Sequence, residues 1–161
     1  MKKLCFRSLS FIILAVLLLG LVGCANQGAI QRLAPTPTAV HVEVALAPSS
    51  ALPDFLHDAD SKIKDAYRFA IANPDVLTKI PCYCGCVAMG HRDNLACYLK
   101  DPHPGGSIEF DNHAYGCGVC VDITQDVMRL MRQGHNLKSI RAYVDAEYSH
   151  YAAPTNTPPV E

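Results

Sequence analysis

The chain predicts a small all-α domain with an irregular, cysteine-rich middle segment. Three observations carry that reading. Apolar residues recur at intervals of three and four over 54–72, 122–133 and 137–151, the repeat of an amphipathic helix. The one candidate extended piece, Ser107 to Phe110, has no evident strand partner. Between them, six cysteines fall in the 39 residues from Cys82 to Cys120, where large apolar side chains are few, chiefly Leu95, Leu99, Ile108 and Phe110.

Residues 1–23 read as an address label. Lys2, Lys3 and Arg7 precede an apolar run of 14 residues, Leu9 to Val22. A bilayer span needs ~20 apolar residues, so the run fits a secretory signal better. It ends in Leu21-Val22-Gly23-Cys24, which resembles a bacterial lipobox. That resemblance implies cleavage before Cys24, lipid on its sulfur, and an extracytoplasmic protein anchored to the cell membrane (the outer one if the host has two). Two acyl chains make such an anchor stable where one is marginal. Cys5 lies in the discarded part.

Residues 24–53 are rich in Ala, Pro, Thr, Gln and Ser, including Ala34-Pro35-Thr36-Pro37-Thr38-Ala39, and read as a semi-extended tether behind Cys24. Residues 152–161, with Pro154, Pro158 and Pro159, read as a frayed tail. The folded unit is then 54–151, one domain. The net charge of the whole chain is −1. Loss of three basic residues with the signal leaves eleven against fifteen acidic ones, a balance of −4. No basic run is present, which argues against nucleic acid as a partner.

Within the domain, Asp54 to Ala72 predicts a helix with Leu56, Ala59, Ile63, Ala66, Tyr67, Ala70 and Ile71 on one stripe. Asn73-Pro74-Asp75 restarts the chain as a cap and first-turn proline, and Pro81 ends that helix near Ile80. His91 to Asn94 can cap a brief helix through Leu95 and Leu99, carrying Cys97. Asp101 to Gly106 is a turn cluster. Asp122 is the expected cap of a helix to Gln133, stopped by Gly134. Asn136 caps the last helix, whose stripe is Leu137, Ile140, Val144, Tyr148 and Tyr151.

The chemistry lies in Cys82, Cys84 and Cys86, answered by Cys97 and by Cys117 and Cys120. In an extended segment, residues two apart sit ~6.6 Å apart. A disulfide wants Cβ atoms ~3.8 Å apart. Neighbours in this run are therefore poor partners for one another, and must bond elsewhere or share an ion. A tetrahedral zinc with bonds of ~2.3 Å requires the loop to curl, which Gly85 permits. The Cys-x-Cys-x-Cys spacing resembles metallothionein-like and copper(I) thiolate clusters, and soft thiolates select Cu(I), Zn and iron–sulfur centres.

His113 precedes Cys117 by four residues, a helical-turn spacing, and His91 lies between Cys86 and Cys97. Singly, each reads as a capping or surface residue; beside six sulfurs both become candidate ligands. His57, His103, His135 and His150 read as solvated. Met89 could lend a thioether to Cu(I), whereas Met128 and Met131 belong to a helix stripe.

Two other chemistries compete. Outside the cytoplasm, three cysteines before residue 90 and three after could close three long-range disulfides, making a stapled interaction module. Cys117-Gly118-Val119-Cys120 just before a helix could exchange disulfides, although the strand–helix alternation of the usual redox scaffold is missing and Asp122 would oppose a thiolate. No nucleophile–base pair, paired carboxylates or phosphate-cradling glycine loop is visible, and no catalytic residue is assigned.

Pro81-Cys82-Tyr83-Cys84-Gly85-Cys86 is, letter for letter, the motif that names the PCYCGC-motif bacterial lipoproteins. Gly90-His91, Asn94-Leu95, Phe110-Asp111, His113, Gly116-Cys117 and Cys120-Val121-Asp122-Ile123 resemble the same family. The resemblance spans about residues 55–150 and implies a small lipid-anchored extracytoplasmic domain without an assigned role. The residues themselves favour a soft-metal-binding lipoprotein, Cu(I) ahead of Zn(II). Its candidate ligands are the six thiolates with His113 and His91. A second envelope metalloprotein is the partner that metal holding or transfer would imply.

Overall fold

The structure, a computed structural model, describes residues 42–101 and 107–160. The signal segment, Cys24, most of the tether, His103 and the turn cluster at 102–106 lie outside the described residues. The described part is mostly helical: α1 (Ser61–Ala72), α2 (Pro74–Leu77), α3 (His113–Gly116), α4 (Gly118–Arg132) and α5 (Leu137–Tyr148). Among these residues no helix is long and apolar enough to cross a membrane.

The apolar stripes do what their spacing requires. α4 packs against both α1 and α5. Tyr67, Phe69, Ile123, Val127, Ile140 and Val144, all on these helices, are buried in one core. Each aliphatic side chain so buried contributes about 1.5–3 kcal/mol. Tyr67 and Tyr98 meet edge to face at 4.9 Å between ring centres, extending the core toward the cysteine-rich segment.

Helix α1 begins at Ser61, seven residues later than its apolar repeat suggests. Pro53 first launches a short 3-10 turn, Asp54–Leu56, and Asp60 takes the cap position. Leu56 and Ala59 still reach the core from this turn, so the repeat continues while the helix does not. Asn73 offers no side-chain cap to α2 and instead donates its amide to Phe69 O and Ala45 O. Helix α4 starts four residues before Asp122, at Gly118, and Asp122 sits inside it, paired with Lys62 at 3.0 Å. Its end follows expectation. Gly134, at φ +79°, donates to Met131 O while His135 N–H donates to Leu130 O, closing a Schellman motif. Asn136 caps α5 through Ser139 N–H, but Tyr151 lies beyond the helix and is largely exposed.

The middle segment is more regular than expected. Leu99–Asp101 (β1) and Glu109–Phe110 (β2) form a small antiparallel ladder with Leu99 opposite Phe110. Leu99 thus ends in a strand rather than a helix, and Ser107–Phe110 has the partner its sequence did not reveal. Short 3-10 turns at Cys86–Met89 and Leu95–Cys97 and the helix α3 fill the remainder.

Both flanks are docked where described. Val42 N–H donates to Arg132 O, and Ala47 N–H to Arg68 O, while Arg68 Nε returns a bond to Ala47 O. Val44 and Ala47 are buried, so the last part of the expected tether is a strap over α1 and α4. The expected frayed tail is likewise ordered against the body, with Thr155 buried.

Candidate metal centre

Four elements bring the sulfurs together. Pro81 leads into the Cys82–Cys86 loop, where Gly85 at φ +81° makes the reversal that a side chain would resist. This is the curl the spacing demands of a shared site. Cys97 ends the 3-10 turn Leu95–Cys97, which Asp93 fixes by accepting from Ala96 N–H at 2.9 Å. His113 opens α3, and Cys117 and Cys120 lie at the cap and first turn of α4. None of these six cysteines is joined to another by a disulfide.

The separations are short. Cys82 Sγ lies 3.3 Å from Cys84 Sγ, 3.3 Å from Cys120 Sγ and 3.7 Å from Cys97 Sγ. Cys120 is 3.6 Å from Cys84, and Cys97 is 3.9 Å from Cys86. Sulfurs bound at ~2.3 Å to one tetrahedral ion stand about 3.8 Å apart. The cluster is near that spacing, and its sulfurs stand well outside the ~2.05 Å of a disulfide bond.

Three sets of four donors have ligand atoms within 4.8 Å of one another: Cys82, Cys84, Cys97 and Cys120; Cys84, Cys86, Cys97 and His113; and Cys84, His113, Cys117 and Cys120. Every candidate cysteine is in at least one set, and Cys84 is in all three. His113 Nε2 is 3.3 Å from Cys84 Sγ. His91 is outside the three sets, yet its Nδ1 faces Cys97 Sγ at 3.5 Å and its ring meets that of His113 edge-on at 5.0 Å. Met89 is exposed at the end of its turn, and Met128 is in the core as expected.

Burial divides the site into a sealed floor and a mouth. Cys82, Cys86, Cys97 and Cys120 are buried, whereas Cys84, Cys117 and His113 are partly exposed. Crowded sulfurs cannot ionise alike. Hydrogen bonds from Cys120 and Cys97 push Cys82 down, and the same bonding holds the thiols of Cys97 and Cys120 up. Cys84 is lowered to about 5, first by the neighbouring Cys97 thiol. A cation that takes four sulfurs would replace whatever protons they carry.

Sequence reasoning gave no role to the groups that hold this arrangement. Asp111 accepts from His113 N–H at 2.7 Å and places its other oxygen 3.6 Å from His91 Nε2. Tyr98 donates to Cys120 O at 2.8 Å and shares a bond with Thr124, which reaches the buried Asn94. Phe110-Asp111 and Asn94-Leu95 were visible as part of the family's surroundings, but spacing alone does not tell an orienting residue from a bystander.

No curated protein and no solved structure matches this chain. A family model described as "Protein of unknown function with PCYCGC motif" matches residues 13–160, and that motif forms the loop that delivers three of the six sulfurs. The chain belongs to the PCYCGC-motif family.

Proposed function

We propose that this protein binds a soft metal ion through its clustered thiolates, Cu(I) ahead of Zn(II), to hold it or hand it on at the cell surface. One observation carries the reading: six sulfurs and one imidazole nitrogen converge into overlapping four-donor sets at coordination spacing. A sulfur-dominated donor set selects soft ions. The partly exposed mouth of Cys84, Cys117 and His113 supports ligand exchange with an incoming carrier, for which another envelope metalloprotein is the fitting partner.

Anchoring through lipid on Cys24, after removal of residues 1–23, places the site outside the cytoplasm. A bound ion would there keep six thiols from oxidising. Thiol exchange through Cys117 and Cys120 is less favoured. Burial pushes the Cys117 thiol up, away from the low value a redox nucleophile needs.

The test is a count on protein purified from its own membrane without oxygen. Elemental analysis is expected to find copper or zinc, and intact mass under denaturing, non-reducing conditions to find no disulfide. Three disulfides and no metal would leave a stapled module instead. Incorporation of radiolabelled palmitate that persists in a Cys24→Ser variant would remove the anchor.

A further inference from the structure

The three donor sets overlap in a way that one ion cannot satisfy. An ion with four bonds in the first set, Cys82, Cys84, Cys97 and Cys120, leaves Cys86, Cys117 and His113 without a role. Cys86 is buried, so its sulfur has no ready exchange with water. Charge points the same way. Six ionised thiolates beside one divalent ion leave four negative charges uncompensated in a largely buried site; two divalent ions leave two.

The remaining two sets both require His113, presented to Cys84 through Nε2. One imidazole nitrogen binds one ion, so those sets hold one ion between them rather than two. Whichever is filled, it contains Cys84 and one more sulfur of the first set, Cys97 or Cys120. Cys84 Sγ lies 3.3 Å from Cys82 Sγ in the first set and 3.3 Å from His113 Nε2 in the others. It stands at the joint between them.

Resting on the metal reading above, we propose that the centre holds two ions that share the Cys84 sulfur and one more, Cys97 or Cys120. The inner ion takes Cys82, Cys84, Cys97 and Cys120; the outer one takes Cys84 and His113 with either Cys86 and Cys97 or Cys117 and Cys120. The outer ion has the only imidazole of the three sets, itself partly exposed, which makes it the exchangeable one of the pair.

The full chain, reduced and held in detergent without oxygen, is titrated with Zn(II) and counted by native mass spectrometry. The expected count is two per chain, falling to one in His113→Ala, whose inner set is intact. Co(II) then tests the sharing, because two Co(II) ions bridged by a thiolate couple antiferromagnetically. The paramagnetic signal is expected to rise through the first equivalent and fall through the second. Saturation of the unaltered chain at one ion overturns the pair, as does a His113→Ala protein that keeps both. Two Co(II) ions with undiminished signal overturn the shared sulfurs alone. Failure to bind Zn(II), Co(II) or, in a parallel titration, Cu(I) overturns the metal reading itself, so the outcomes are distinguishable, and two of the readouts need no variant.

Discussion

Thr155 grips Cys82 from both sides of its backbone. The Thr155 N–H donates to Cys82 O at 3.0 Å, and the Cys82 N–H donates to Thr155 Oγ1 at 2.8 Å. Arg141 reinforces the seam, donating through Nη1 to Lys79 O at 3.0 Å and to Pro158 O at 3.3 Å. The C-terminal segment is thus one wall of the cysteine loop. Thr155→Val keeps the shape but leaves the buried Cys82 N–H without an acceptor, which costs about 1–3 kcal/mol. The expected result is a lower urea midpoint and weaker metal retention against a chromophoric chelator. A chain ending at Ala152 should lose more, since it also drops the backbone bond; unchanged midpoint and affinity in both would refute the wall.

Asp111 connects to both histidines, by accepting from the His113 backbone and by facing His91 Nε2. Asp111 thus fixes the backbone that presents His113 and faces the His91 ring, and loss of a group that supports metal ligands typically costs 10–100-fold in metal affinity. Asp111→Ala is expected to weaken metal binding by roughly that factor. Asp111→Asn, which preserves an acceptor for His113 N–H, should recover part of the loss. Competition titration with a chelator of known affinity measures both; equal affinities across the three proteins would make Asp111 a bystander.

How much of this was legible in the sequence depended on whether the cause was local. The Gly134 stop and the Asn136 cap were readable because each satisfies helix-end groups with atoms a few residues away. The true start of α4 was not. Asp122 is a plausible cap by chemistry, but burial of Cys120 and Val121 extends the helix backward, and Asp122 finds Lys62 on another helix. The strap at 42–48 and the segment around Thr155 lack apolar periodicity. They are ordered by backbone bonds to Arg132, Arg68 and Cys82, which composition cannot reveal. The convergence of six sulfurs was foreseeable from their number and spacing; their division into three sets joined by Cys84 was not, because it depends on where Cys97 and α4 pack.

Alkali should undo the fold through its tyrosines. Burial raises Tyr67, Tyr83 and Tyr148, whose hydroxyls donate to Asp111 O, Asp145 Oδ1 and Asp126 Oδ2. A raised folded value means the native state holds protons that the unfolded chain releases. The contribution is therefore complete below about pH 10, the unfolded tyrosine value, and is lost as pH rises above it. The buried thiols of Cys97 and Cys120 act in the same direction in the metal-free protein, from about pH 8.5 upward. Circular dichroism should show stability falling above that point, with tyrosinate absorbance appearing together with unfolding. Gradual tyrosine ionisation in a protein that stays helical would contradict this.

Metal removal should act unevenly, and the structure says where. The donors sit on the Cys82–Cys86 loop, the Leu95–Cys97 turn, α3 and the first turn of α4, so an ion would tie together four segments that the chain alone joins through Leu95, Tyr98 and Val121. The far end of α4 and all of α5 are held instead by Val127, Ile140 and Val144, which need no ion. Hydrogen exchange with and without metal is therefore expected to show protection lost over residues 82–98 and 111–121 and little changed over 127–148, since local opening follows local contact density. Helix α4 should divide, its first turn behaving with the cysteines and its last two with the core. As a control on the other side of the molecule, Ile140→Ala should cost about 2–5 kcal/mol whether or not metal is bound. If metal instead protects α5 as strongly as the loop, the two regions form one cooperative unit, and the centre stabilises the whole domain rather than its own walls.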